Sequence, residues 1–599
     1  MANSDSNLVN EILSMRGYAY GLRTATLIID LRLRNIPKIA NISLDSTFRL
    51  CLLAIDPSYE EILNLRCVEI DLPGLLVYWL WTFQRIANIP QIVCGRQIEL
   101  DQENTCKLLV PAHFECHGLI SQIAKWIIRL ALLEDAEILP NEVNSKLPLF
   151  IRELRYHLPS SSNIPHFLEA AAELDIPVQK VVGNILQFGQ SCKAHWLDSS
   201  FSDQTSLIGA NIARNKVWTA KVLFDAALPV PPNRVIDSYE DALKSAEIIG
   251  FPVVIKPADR DGGVGVSSGL INFNQVRQAF DNATKFSNKV MLEKHMDGRD
   301  YRLVVFQGRL LWAIERLPGG VIGDGEHSIG ALLELLNNDS RRSTGNKAKL
   351  KKIRLDDEAL GLLQTLGKNL NSIPSLGEFI PMRRRANIAS GGMPIAVMDK
   401  VHPDNAMLAI RATVALGLDM AGVDLLMPDI TKSWMEVGGA ICEVNGQPQL
   451  GSLTSSHLYS QILQLLMIDG SRVPITVVIG ASDGTVIEKI HSDYLKAGVC
   501  VGLSVATGLY VGDECIFSNP ITPYRAGRAL LRNRRVEAIV LSINDFSILR
   551  TGLPFDWCNR VVIAGNNFHY VNPQISINTD MAIAKMIEMI DAGQVDYAL

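Results

Sequence analysis

At 599 residues the chain is longer than one hydrophobic core ordinarily serves, and it predicts about three or four domains. Its 48% apolar and 20% charged residues exclude a disordered protein, and a net charge of -6 with no long basic run argues against a nucleic-acid partner. The start Met1-Ala-Asn-Ser-Asp-Ser6 lacks the basic-then-apolar order of a secretion signal. The densest apolar stretch, Gly74 to Phe83, is too short to span a bilayer, and the ten cysteines include no CxxC pair, so a reduced, cytoplasmic protein without a membrane partner is expected.

Residues 1–160 alternate helical runs, such as Tyr59 to Leu65 and Ile120 to Leu133, with strand-like runs such as Thr26 to Leu31. They predict an α/β domain in which Gly74 to Phe83 is a buried helix. His113 and His117 are spaced as helix neighbours, and a packing or surface role rather than metal ligation is expected of them.

The second segment, 161–470, begins with a strand Val181 to Phe188, a helix from about Asn211 to Ala226, a strand Pro229 to Val235 and a helix Tyr239 to Ile249. The next run, Phe251-Pro-Val-Val-Ile-Lys256-Pro257, is an apolar strand that ends in a lysine, a placement suited to meeting phosphate oxygens in a cleft. Asp261-Gly262-Gly263-Val264-Gly265 follows. Closely spaced glycines let backbone N–H groups cradle phosphates, although such clusters also make ordinary turns. Beyond it, Val290 to Arg302 reads as a strand interrupted at Gly298. Such a break exposes backbone groups that can pair with an adenine edge, and an acidic residue just past it can accept from ribose hydroxyls.

Gly422-Val-Asp424 and Cys442-Glu443-Val-Asn445 lie on two short apolar runs that read as adjacent strands. Two carboxylates and an amide oxygen on one side suit Mg²⁺, which takes few protein ligands and completes its shell with phosphate and water. Taken alone, the pattern equally suits a hairpin with solvated acidic residues.

Lysine on a strand, glycine loop, Glu-Lys hinge, acidic residue and then Asp…Glu-x-Asn, in that order, resembles the ATP-grasp superfamily. Within it the chain is similar to the cyanophycin synthetase family. The resemblance is carried by Leu186-Gln-Phe-Gly-Gln190, Glu293-Lys-His-Met-Asp-Gly-Arg-Asp-Tyr-Arg302, Glu315-Arg-Leu-Pro318, Gly323-Asp-Gly325, His327-Ser-Ile329, Arg383 with Ala386-Asn-Ile-Ala-Ser-Gly-Gly392, His402-Pro-Asp-Asn405 and Ile441-Cys-Glu-Val-Asn445. It implies that Lys216, Lys256 and the glycines 262, 263 and 265 contact ATP phosphates. By the same resemblance Glu293, Lys294 and Met296 meet the adenine, Asp300 the ribose, and Asp424, Glu443 and Asn445 hold Mg²⁺. Arg302 and Ser390 would hold the growing peptide, and Arg383 would steady the reacting carboxyl. Arg384 and Arg385 beside Arg383 leave open a surface basic cluster, and Asn337 to Lys352 reads either as a loop closing over substrates or as a solvated connection. Asn215 stands where the family commonly has aspartate.

Residues 471–599 resemble the start of the Mur-ligase-like module that follows in long members of the family. Arg472 to Ile479 has the character of the strand before a phosphate loop, but Gly480-Ala-Ser-Asp-Gly484-Thr485-Val486 lacks the lysine that such a loop requires. A truncated module without ATP activity is therefore expected, leaving one ATP site in the chain. The expected architecture is α/β multidomain: an N-terminal α/β domain, a central ATP-grasp fold and a truncated Mur-ligase-like domain. The resemblance implies the short type of the family, which polymerises β-aspartyl-arginine dipeptides into cyanophycin, a nitrogen store, with ATP and Mg²⁺ as a homo-oligomer, most simply a dimer. Two other readings stay open: a ligase adding free aspartate or another amino acid, and an inactive scaffold that binds polymer or a full-length synthetase.

Overall fold

Val9–Met15 (β1), Thr26–Arg32 (β2), Arg96–Leu100 (β3) and Thr105–Pro111 (β4) form an antiparallel sheet in the order β1-β2-β4-β3. The structure is a computed structural model and describes residues 9–32, 38–65, 71–90, 93–100, 105–133, 137–157, 161–260, 264–339, 342–343, 350–383, 391–451, 453–480, 484–566, 568 and 578–597. Contact density divides the chain into two units, residues 1–196 with 463–599, and residues 197–462.

In the first unit the β1–β4 sheet packs on Leu72–Ile86 (α1), which contains the run Gly74 to Phe83. Asp71 caps α1 by accepting from the Gly74 amide, and Pro73 sits in the first turn, where its missing N–H has no cost. Every residue of α1 but Arg85 is buried, as expected of a helix apolar on all sides. His117 is also buried, so it is a packing residue. Residues 471–599, in the same unit, build a separate core around a seven-stranded sheet.

The second unit holds two larger sheets besides short two-stranded ones. Asn233–Ile236 (β5), Val253–Pro257 (β6), Ser267–Leu270 (β7) and Val290–Lys294 (β8) pair in the order β7-β6-β8-β5. Arg299–Phe306 (β9), Arg309–Leu317 (β10), Met393–Ala396 (β11), Met420–Met427 (β12) and Ala440–Asn445 (β13) pair in the order β11-β10-β9-β12-β13. Helix Pro403–Ala415 covers the apolar face of this second sheet, where Leu408 and Ala412 join Leu303, Val305 and Val423.

Three local expectations change. The strand expected over Val181 to Phe188 is a hairpin, Val178–Val182 with Ile185–Phe188, turned at Gly183 with φ 53°. The helix expected from Asn211 to Ala226 is two helices, Leu207–Ala213 and Lys216–Asp225 (α2). The Asn215 side chain accepts from the Val217 and Trp218 amides and starts α2 anew. An amide oxygen serves that cap as a carboxylate would, which accounts for Asn at this position. The strand expected from Pro229 begins only at Asn233, after Pro231 and Pro232, which have no N–H to give a ladder.

The C-terminal sheet contains Ile475–Ile479 (β14), Val501–Val505 (β15), Gly508–Val511 (β16), Glu514–Phe517 (β17), Ala538–Ile543 (β18), Cys558–Ile563 (β19) and Ala592–Tyr597 (β20), in the order β17-β16-β15-β18-β14-β19-β20. Its centre is parallel, and β14 is buried along its whole length, which is why it reads as a continuous apolar run. Gly480 follows with φ 71°, and a Cβ there would lie 1.9 Å from the Gly565 carbonyl oxygen. Close backbone approach alone thus accounts for this glycine. Residues 481–483 lie outside the described residues.

Candidate active site

The register of the five-stranded sheet determines which side chains meet. Arg302 on β9 lies opposite Asp424 on β12, and Asp424 lies opposite Glu443 on β13. Gly422 lies opposite both Val304 and Asn445, and Arg302 lies opposite Ile314 on β10. Because strand residues alternate faces, Asp300, Arg302, Arg316, Gly422, Asp424, Glu443 and Asn445 all belong to one face. The other face carries the apolar residues packed on helix Pro403–Ala415.

Within this row charges are paired closely. Arg302 forks onto Asp424, with Nε donating to Oδ1 and Nη2 donating to Oδ2 at 2.9 Å. Arg316 bonds Asp300 Oδ1 at 2.6 Å and also reaches Asp424 Oδ2 at 3.0 Å. Burial by itself would raise the Asp424 pKa, but Arg302 and then Arg316 over-compensate and hold it below the ordinary carboxylate range. Asp300 goes the other way, raised first by burial and also by Asp424 in spite of Arg316. Gly422 makes room for this pairing, since a Cβ there would stand 2.9 Å from Arg302 Cδ.

Lysines from neighbouring elements complete the surroundings. Lys256 on β6 is buried, and its Nζ lies 2.6 Å from Glu293 Oε1 on β8. Burial works against its charge, but Glu293 outweighs it, so the ammonium pKa is raised. Lys216, the first residue of α2, donates to the Arg260 carbonyl at 2.7 Å and lies 3.1 Å from Glu443 Oε1. Lys216, Thr219, Met291, Glu293, Cys442 and Glu443 line one narrow cleft.

Other expected residues fall in different settings. The Lys294 ammonium donates to the Gly250 and Phe251 carbonyls, both at 2.9 Å, and Met296 is half-buried past the end of β8. Gly265, with φ 70°, packs where a Cβ would come within 2.9 Å of Pro257 and Phe286. Gly262, Gly263 and Ser390 lie outside the described residues, as does most of 337–352 beyond Asp339. Arg383 is buried with partners outside the row. It forks onto Asp356, both bonds 2.9 Å, and donates to the Met382 and Arg354 carbonyls. Asp356 caps helix Asp357–Thr365, so Arg383 here ties that helix start to the residues just past strand Phe379–Pro381.

Two residues at the site escaped sequence reasoning. Arg316 sits in the segment Glu315-Arg-Leu-Pro318 that carries the resemblance, and its signal is a charged pair, Glu315-Arg316, following the apolar run Leu310 to Ile314 of its strand. Cys442 was passed over beside Glu443; its thiol lines the cleft, pushed up in pKa by burial and then by Glu293.

The donor set fits a hard cation. Among the described residues no cluster of three or more His, Cys, Asp or Glu gathers. Asp424 and Glu443 nevertheless stand directly opposite each other, and Asn445 lies on the same face opposite Gly422, next along the ladder. Two carboxylates and an amide suit an ion that takes its remaining ligands from phosphate and water.

Comparison with known proteins gives the context for this geometry. The family described as D-ala D-ala ligase C-terminus matches residues 223–317. A cyanophycin synthetase of Crocosphaera subtropica is 33% identical over 393 residues, covering 63% of this chain and 45% of the relative. One from Synechocystis is 30% identical over 391 residues, again covering 63% and 45%. A glutathione biosynthesis bifunctional protein of Mannheimia succiniciproducens is 33% identical over 251 residues, covering 41% of this chain and 33% of the relative. A crystallised bifunctional glutathione synthetase from Pasteurella multocida covers 60% of the chain and 52% of its own, at 23% identity and a TM-score of 0.43. The chain spans less than half the length of the cyanophycin synthetases it matches. No described helix is long and apolar enough to cross a membrane. Across 63% of its length this multidomain α/β chain is similar to the cyanophycin synthetases, and within that stretch residues 223–317 match the D-ala D-ala ligase C-terminus, the ATP-grasp part of such ligases.

Proposed function

We propose that the chain is an ATP-dependent carboxylate–amine ligase that polymerises β-aspartyl-arginine dipeptides into cyanophycin. The observation that supports this reading best is the single sheet face that carries Asp300, Arg302, Asp424, Glu443 and Asn445, with Lys216 and Lys256 close by. In this reading residues 1–160 form an N-terminal domain, 161–470 the ligase, and 471–599 a shortened Mur-ligase-like module that serves packing. The working form is a homo-oligomer, most simply a dimer.

A carboxylate is a poor electrophile, so amide formation at neutral pH first converts it to an acyl phosphate. The polymer's C-terminal carboxylate oxygen attacks the γ-phosphorus of ATP and ADP leaves. The dipeptide's α-amine then attacks the acyl carbon, phosphate departs, and the amine's proton passes to solvent. Lys256, kept charged by Glu293, and Lys216 face phosphate oxygens and offset their charge as the bond to ADP lengthens. Arg302 presents a planar fork that matches the polymer carboxylate as it matches Asp424. Mg²⁺, held by Asp424, Glu443 and Asn445, would supply further charge stabilisation at the phosphates.

The test is phosphate release by purified protein given ATP, Mg²⁺ and a short polymer primer. The expected result is turnover with β-aspartyl-arginine and none with free aspartate plus arginine. Turnover with only the free amino acids would overturn the dipeptide reading, and no ATP consumption with any donor would favour a scaffold.

A further inference from the structure

We propose that Arg316 is a positioning residue that ties the nucleotide's ribose side to its metal side, by holding Asp300 and Asp424 in one ion-pair bridge. The inference rests on the nucleotide reading above, in which Asp300 faces ribose and Asp424 the metal.

The geometry is specific. Arg316 lies on β10, with β9 between it and β12 in the strand order. The register that sets Tyr301 opposite Glu315 brings Asp300 level with Arg316, and Asp424 is one strand farther. Only a long side chain spans that gap, and the guanidinium does so with Nη2 at 2.6 Å from Asp300 Oδ1 and 3.0 Å from Asp424 Oδ2, while Nε adds 3.1 Å to Asp300. The guanidinium is therefore shared between two carboxylates that no other single cation bridges among the described residues. Arg302 also serves Asp424, but from the adjacent strand and without reaching Asp300. Its loss would leave Arg316 as the cation on Asp424, whereas loss of Arg316 leaves Asp300 without its ion-pair partner. The side chain is 21% exposed and Asp424 7%, so solvent screens the bridge only in part.

Such a bridge couples two ligands. A metal at Asp424 needs the carboxylate held in one orientation, and ribose at Asp300 needs the same of its partner. Residues that orient metal ligands from behind typically change metal affinity about 10–100-fold when lost. Arg316→Ala should therefore weaken the Mg²⁺-dependent part of nucleotide binding selectively. Lysine at 316 keeps the charge but not the fork, and should restore part of the effect.

The experiment is calorimetric titration of ADP into the full chain with Mg²⁺ and with EDTA, for the wild type, Arg316→Ala and Arg316→Lys, with thermal melts as a folding control. The expected result is that the ratio of ADP affinities with and without Mg²⁺ falls about tenfold or more in Arg316→Ala and recovers in part in Arg316→Lys. A role limited to stability would lower the melting temperature and leave that ratio unchanged, which would overturn the proposal. If Arg316→Ala fails to fold, Arg316→Lys decides alone, an unchanged ratio again counting against it. Failure of the wild type to bind ADP in either condition would overturn the nucleotide reading itself.

Discussion

The central five-stranded sheet and the C-terminal seven-stranded sheet use buried strands for different ends. Every residue of Ile475–Ile479 and of Ala538–Ile543 is buried, and all but Thr476 and Ser542 are apolar. Met420–Met427 is almost as deeply buried, yet it carries Asp424 with Arg302 and Arg316 upon it. Buried ion pairs recover their desolvation cost only with good geometry, and well-packed apolar residues often replace them without loss. Stability therefore gives no reason for charges on the central face, whereas ligand binding does. The glycines differ in the same way. Gly480 is accounted for by the Gly565 backbone, and Gly422 by the side chain of Arg302.

The contrast is open to being broken by substitution. Its largest expected effect is at Glu443→Gln, which should lower ATP-dependent turnover about a thousandfold or more, since metal charge stabilisation is worth several kcal/mol. Full activity in a phosphate-release assay of that variant would remove the metal assignment. On the other sheet, Leu541 is fully buried, and Leu541→Ala should cost about 2–5 kcal/mol in denaturant unfolding. Its ADP affinity by calorimetry should stay at the wild-type value; a parallel loss of affinity would show that the C-terminal sheet takes part in the site.

A smaller effect should appear with pH in the first unit. His117 accepts from the Ser14 hydroxyl at Nδ1, 2.7 Å, and donates from Nε2 to the Ala112 carbonyl, 3.0 Å. Burial pushes its pKa down from 6.5 to about 4, so the folded state binds its proton less readily than the unfolded state. The stabilisation is therefore complete above about pH 6.5 and is lost as pH falls toward 4, by up to about 3 kcal/mol. Denaturant unfolding at a series of pH values should show this slope, and His117→Gln should flatten it.

The sequence by itself determined the α/β alternation, the buried helix around Gly74 to Phe83 and the one-face logic of Asp424, Glu443 and Asn445. Each rests on short-range periodicity: 3.6 residues for helices and two for strands. The lysine ending an apolar run at Lys256 was legible for the same reason, because a charge in such a place needs a partner. The split between Leu207–Ala213 and Lys216–Asp225 was missed, since whether Asn215 caps a new helix or continues an old one is decided by packing. Only the tertiary structure decided what those charges meet. Arg302 and Asp424 are 122 positions apart in sequence, and nothing local selects one arginine over another as the partner of a carboxylate. The same holds for Arg383. The family resemblance suggested a site residue and its arginine neighbours a surface cluster, whereas in the fold it lies buried on Asp356. Register between strands carries that information, and register is a property of the assembled sheet rather than of any one segment.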